Sequence, residues 1–103
     1  MLSVSAVRPD STHAWILAGD AQSTLTLQTQ GRNWLNAVIA SGNSATAAVQ
    51  MRVDGELVAQ ITLRAGATWS PAFAVPQALP SDAVIEVTSD EIAHVSVFGF
   101  RAA

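Results

Sequence analysis

Residues 44–69 read SATAAVQMRVDGELVAQITLRAGATW, and how this stretch pairs with itself decides the fold. Asp54-Gly55 sits between two runs that alternate apolar and polar side chains, the signature of a β-hairpin with arms near 45–52 and 56–64. With a two-residue turn, Met51 would face Val58 and Val49 would face Gln60, and neither face would be cleanly apolar. With Val53-Asp54-Gly55 as a three-residue loop and Gly55 left-handed, Arg52 faces Glu56, Met51 faces Leu57 and Val49 faces Ala59. Ala47 then faces Ile61, and Ala45 faces Leu63. One face becomes continuously apolar, while Thr46, Gln50, Gln60, Thr62 and the cross-strand pair Arg52–Glu56 line the other. A slip of one residue turns every side chain over, so the pattern selects the three-residue loop. The exposed ion pair contributes at most ~1 kcal/mol; the apolar face decides the register. The expectation is an antiparallel hairpin with one wet face.

Outward from the hairpin, strand signals recur at short spacing. Leu2 to Val7 alternates and is broken by Arg8-Pro9-Asp10-Ser11; Ala14 to Ala18 reads as a short buried strand ended by Gly19-Asp20. Thr24 to Gln30 alternates with Leu25 and Leu27 inward, and Gly31-Arg32-Asn33 turns the chain into a strand from Trp34 to Ala40. Ser41-Gly42-Asn43-Ser44 is a loop before the hairpin, and Ala65-Gly66 a turn after it. Trp69 to Val75 contains Pro71, which cannot donate to a central ladder, so this segment belongs at an edge. Pro76 to Asp82 is a turn-rich loop. Ala83 to Ser89 and Ile92 to Phe100 read as a final pair joined by Asp90-Glu91. Eight or nine short strands with regular turn signals, and little helical pattern, predict one all-β antiparallel sandwich over residues 1–103. A jelly roll is preferred to an immunoglobulin-like arrangement, because the chain has neither the Cys…Trp…Cys spacing nor a tyrosine.

Composition narrows the function. There is no cysteine, hence no disulfide and no thiolate metal site. Charged residues make up only 13% against a usual value of about 25%, and lysine is absent. Five scattered arginines on a chain of net charge -3 form no basic patch, which argues against nucleic acid as a partner. The longest apolar run, the five residues Ala14 to Ala18, is far too short to span a membrane as a helix. MLSVSAVRPD lacks the basic start and long apolar run of a secretory signal. The protein is therefore expected to stay in the cytoplasm where it is made, or to leave by lysis or within a particle.

Few residues suggest chemistry. His13 and His94 are 81 positions apart with no cysteine to help them, a poor start for a metal site that needs three or four convergent ligands. Asp10, Asp20, Asp54, Asp82, Asp90 and Glu91 fall mostly in turns without the D-x-D-x-D spacing of a calcium loop. There is no G-x-S-x-G elbow and no phosphate-binding glycine loop, so no catalytic residue and no cofactor are expected. Trp15 lies in an apolar run and reads as core. Trp34 and Trp69 flank loops, where a tryptophan serves either as an interface anchor or as a stacking platform for a sugar.

The final strand, IAHVSVFGF, is apolar on both faces: Ala93, Val95, Val97 and Gly99 on one, Ile92, Phe98 and Phe100 on the other. In so small a domain the second face calls for a cover from outside, and another copy is the natural one. Trp34, Trp69, Phe98 and Phe100 are thus the candidate subunit or partner interface. The whole chain, small, rich in Ala, Thr, Ser and Val, without Cys or Lys and closing on VSVFGFRAA, resembles virion accessory proteins of tailed phages. These are head decoration (cement) proteins and the short sandwich domains of head fibres and tail parts. The resemblance implies a non-enzymatic structural protein of the virion, a homo-oligomer and most often a trimer, that binds other virion proteins such as the major capsid protein. The alternative is a small carbohydrate-binding module. It predicts an exposed Trp34 or Trp69 beside Asn33, Asn36 or Gln77.

Overall fold

The computed structural model describes residues 12–70 and 72–102, with side chains for 14–70 and 77–101. Among the described residues nine strands form: β1 (Thr12–Asp20), β2 (Leu25–Gln28), β3 (Asn33–Gly42), β4 (Ala47–Val53), β5 (Glu56–Leu63), β6 (Thr68–Trp69), β7 (Ala72–Ala78), β8 (Val84–Ser89) and β9 (Ala93–Ala102). They make two antiparallel sheets. Sheet A has the order β1-β9-β3-β6, with β7 also on β3, and sheet B has the order β2-β8-β4-β5. Apart from the β4–β5 hairpin and the broken β6–β7 edge, each strand is followed by one in the opposite sheet, the winding of a jelly roll. The strand expected at Leu2 to Val7 lies outside the described residues.

The hairpin closes differently from the register favoured by its pattern. Asp54 (φ 53°) and Gly55 (φ 81°) are both left-handed, which makes a two-residue turn with Val53 opposite Glu56 and Arg52 opposite Leu57. The register then shifts: Met51 pairs with Ala59, so Val58 is an extra residue in β5, a one-residue bulge. Beyond it Val49 meets Ile61 and Ala47 meets Leu63. The expected pair Arg52–Glu56 is therefore corrected: across the ladder Arg52 has Leu57 on one side and Glu86 of β8 on the other. Beyond the bulge the faces are nevertheless those the pattern demanded, with Ala59, Ile61 and Leu63 on the apolar side; before it they are exchanged, Leu57 standing exposed opposite Arg52 and Glu56 opposite the buried Val53. A bulge adds one residue to one arm, and so turns the side chains over just as a longer loop would.

Three further elements fall where the sequence placed them, and one does not. Leu25 and Leu27 oppose Val87 and Ile85, in the core. β6 and β7 pair with β3 at the sheet edge, on either side of Pro71, as a proline-bearing segment must. Ala14 to Ala18 lies within β1, but Trp15 and Leu17 turn inward while Ile16 is exposed. The final pair does not exist as a hairpin: β8 belongs to sheet B and β9 to sheet A, each central in its sheet. A short polar connection suits a hairpin or a corner between sheets equally well. Here hydrogen bonds hold it as a corner: the Ala48 amide donates to Asp90 Oδ1 at 2.7 Å, and the Ala93 amide to Asp20 Oδ1 at 3.3 Å.

The core lies between the sheets, with Leu35, Val38, Ala40, Val95 and Val97 from one and Val49, Leu63, Ile85 and Val87 from the other. Gly99 is required at its place in β9. A Cβ there would stand 2.3 Å from Cζ2 of Trp15 and 2.5 Å from the Trp34 carbonyl oxygen, so the indole of Trp15 lies directly on the strand. Its Nε1–H donates to Oδ1 of the buried Asn33 at 3.0 Å, and Asn33 Nδ2 donates to the Gln30 carbonyl at 2.9 Å. The polar tip of a core tryptophan is thus satisfied.

Candidate docking face

The two outer faces of the sandwich are unlike each other. On sheet B the register lines up Thr26, Glu86 and Arg52, then Thr88, Gln50 and Gln60, with Gln50 and Gln60 joined by a 3.5 Å hydrogen bond. Beyond the bulge this is the wet face the hairpin pattern predicted; next to the turn Leu57 stands exposed on it, opposite Arg52.

On sheet A, the residues of β9 that point away from the core are His94, Ser96, Phe98 and Phe100, and register builds a row around each. Phe100 lies between Ala14 and Trp34, Phe98 between Ile16 and Ala37, Ser96 between Ala18 and Ile39, and His94 between Asp20 and Ser41. Trp34 and Phe100 are stacked, with centroids 5.5 Å apart and planes 10° apart, and the Arg32 guanidinium lies over the indole at 5.4 Å. Ile16 is 58% exposed and Ile39 40%. From the Trp34–Phe100 row to the Ser96 row the face carries no charged side chain; Arg32 stands beyond one end, and Asp20 and His94 occupy the other.

Of the four interface candidates, Trp34, Phe98 and Phe100 come together on this face. Trp69 does not: it pairs with the buried Ala40 and is half-buried against the core, between the sheets. Sequence reasoning missed Ile16 and Ile39, the exposed large aliphatic members of the face, because AWILA read as a buried run and the strand from Trp34 to Ala40 was given no exposed face. Their alternation with Trp15, Leu17, Val38 and Ala40 was the available signal. His94 sits exposed at the rim of the face, and the side chain of His13 lies outside the described residues. Among the described residues no group of three or more His, Cys, Asp or Glu could hold a metal ion.

A second concavity of about 560 Å³ opens between the β5 and β7 sides of the sandwich. Leu35, Met51, Trp69 and Leu79 give it an apolar lining, and Asp54, Glu56 and Gln77 are its polar side chains. Asp54 is already committed, since its Oδ1 accepts the Val84 amide at 2.9 Å.

No protein-family model matches the sequence, and no curated protein does. Solved structures show where the fold recurs. The CBM36-1 domain of a multidomain xylanase from the hindgut metagenome of Trinervitermes trinervoides overlays with a TM-score of 0.55 at 11% identity, covering 88% of this chain and 98% of that one. The Podospora anserina GH26-CBM35 β-(1,4)-mannanase matches at 0.51 and 10% identity over 91% of this chain and 28% of its own length. The coat protein of Tobacco streak virus, seen as a dimer, overlays at 0.44 and 11% identity over 92% of this chain and 88% of that one, too loosely to carry an argument. At these identities the likeness is one of fold: a jelly-roll β-sandwich.

Proposed function

We propose that this chain is a non-enzymatic structural protein of a virion, a capsid decoration protein or a fibre or tail component. It docks copies of itself, or other virion proteins such as the major capsid protein, through the outer face of sheet A. The observation that carries this reading is the contrast between the two outer faces: one mainly polar, with Leu57 exposed beside Arg52, the other apolar and uncharged across three strands, with two isoleucines held in solvent. Isolated exposed apolar residues need no explanation, but a contiguous sheet face of them marks a surface that meets another protein. The test is light scattering behind size exclusion up to about millimolar protein, on the parent and on Ile16→Lys/Ile39→Lys. Both positions are exposed and a lysine stem keeps part of the covered area, so stability is expected to change by no more than about 1 kcal/mol each. The parent is expected to gain mass with concentration and the variant to remain a monomer. A parent that stays monomeric, or a variant that behaves like it, refutes self-docking through this face.

The second reading is a carbohydrate-binding module, and one observation favours it: Trp69 and Gln77 line the same groove, beside Asp54 and Glu56. The sandwich architecture shared with the CBM36 and CBM35 structures is compatible with it. Trp34 does not serve this reading, because Phe100 and Arg32 already occupy its π surface. Tryptophan fluorescence against a glycan panel, with Trp69→Ala as control, decides it. A saturable shift that the variant loses supports sugar binding, and no shift with any glycan removes it.

A further inference from the structure

We infer that the occupant of the outer face of sheet A is a second copy of this chain, seated face to face about a two-fold axis running across the strands, so that the two sheets A lie antiparallel. The inference rests on the reading of this face as a docking surface, and adds the partner and its orientation.

Side-chain size along the face is what points to it. An axis across the strands, lying between the Phe98 and Ser96 rows, brings each of these rows onto the other in the partner copy, strand over strand. Ile16 then meets the partner's Ala18, Phe98 meets the partner's Ser96, and Ile39 meets the partner's Ala37. Every large side chain lands on a small one. In the next rows outward Trp34 falls on the partner's small Ser41, while Phe100 meets the partner's His94 at the rim of the face. The alternative two-fold, along β9, keeps each row on itself and sets Phe98 on Phe98 and Phe100 on Phe100, which holds the sheets apart at the centre. Packing at an interface core matches a protein interior, so alternation of large and small is the property that lets two identical faces close.

Charge selects the same orientation. The cation Arg32 lies beyond one end of the face and Asp20 at the other, about 20 Å away at ~3.4 Å per residue. The axis across the strands lays the cationic end of one copy over the carboxylate end of the other. The axis along the strands lays like ends together, which fixes orientation by repulsion.

The size of the face sets the strength. Rows from Phe100 to Ser96 across β1, β9 and β3 cover on the order of 400 Å², from the strand spacing and rise with a side-chain margin. A standard stable interface takes about 800 Å² per partner, so this pair is weak in dilute solution. A face that meets itself closes as a pair, and a two-fold takes the place of the trimer expected from the sequence.

The absence of cysteine makes the test clean. Single-cysteine variants Ala14→Cys and His94→Cys are both at exposed positions. Each is treated alone, and then as a mixture, with a bismaleimide that bridges about the 10 Å between facing sheets. The expected result is a cross-linked dimer from the mixture and none from His94→Cys alone, because only an antiparallel pair brings position 14, which faces the second copy's Asp20, to within one strand of the second copy's position 94. A dimer from His94→Cys alone overturns the orientation while leaving the face as a docking surface. No cross-link in any combination, with a parent that still gains mass in light scattering, overturns both. No cross-link with a strictly monomeric parent overturns the second copy as occupant.

Discussion

Deleting Val58 tests the hairpin register directly. In the observed pairing Val58 is the one residue of β5 without a partner: Arg52 pairs with Leu57, and Met51 with Ala59. Removing it leaves every cross-strand pair in place and converts the bulged arm into a regular one. Val58 is 54% exposed, so less than half the ~1.5 kcal/mol of a fully buried valine is lost. Regular pairing recovers part of that, and the net change is expected within about 1 kcal/mol, a shift of no more than about 8 °C in Tm for a domain of this size. The three-residue-loop register predicts something else. There the same deletion turns Ala59, Ile61 and Leu63 from the core to solvent. Leu63 is 3% exposed, and losing a buried leucine alone costs about 2–5 kcal/mol. Adding Ile61 brings the loss to most of the 5–15 kcal/mol that holds a typical domain together. Urea unfolding followed by tryptophan fluorescence separates the two. A cooperative transition near that of the parent supports the bulge, and a chain that no longer unfolds cooperatively refutes it.

Three other outcomes follow from the packing. Gly99→Ala drives a Cβ into Trp15 and is expected to cost about 1–3 kcal/mol by urea titration. Trp15→Phe, which lacks the two clashing ring atoms, should make the double variant less unstable than the sum of the singles. Asn33→Ala orphans the indole N–H of Trp15 in a buried setting and should lower stability by about 1–3 kcal/mol. Asp54→Gly accepts the positive φ and loses only the bond to the Val84 amide, so it should melt above Asp54→Ala in a thermal scan.

What the sequence made legible were faces and edges, because these follow from alternation within a few residues. The apolar side of the hairpin, the inward Leu25 and Leu27, the core role of Trp15 and the edge position of the proline-broken segment all came from local pattern. Partners across space were harder. A turn and a bulge together move the register by two from the three-residue-loop pairing, and parity alone cannot see a shift of two. The sheet to which β9 belongs depends on a corner held by Asp90 and Asp20, whose hydrogen-bond partners Ala48 and Ala93 include a residue far away in the sequence. The same gap explains the site. Phe98 and Phe100 could be put on one face of β9 from sequence, but Ile16 and Ile39 joined them only once β1 and β3 were known to flank that strand. Trp69 was misjudged because its side depends on which residue of β3 it opposes.

Lysine is the usual charged defence of an open sheet edge, and this chain has none. Edges are protected here by shape. β5, at one edge of sheet B, is bulged at Val58; one edge of sheet A is split into β6 and β7; and β2, at the other edge of sheet B, is only four residues long. Bulges, breaks and short strands all discourage the addition of a further strand. Among the described residues, association through hydrogen-bonded edges is thus disfavoured on three of the four, and a large apolar surface left over is a face. A face pairs through side chains, which reject wrong partners by size and charge, whereas an open edge accepts almost any extended chain. A protein made to join an ordered assembly, without aggregating beforehand, benefits from that division. The Val58 deletion probes this as well. With β5 straightened, the variant should keep its fold and yet gain mass in light scattering, by a route that Ile16→Lys/Ile39→Lys does not block. If the double substitution does block it, the bulge guards no edge and the face is the only surface of association.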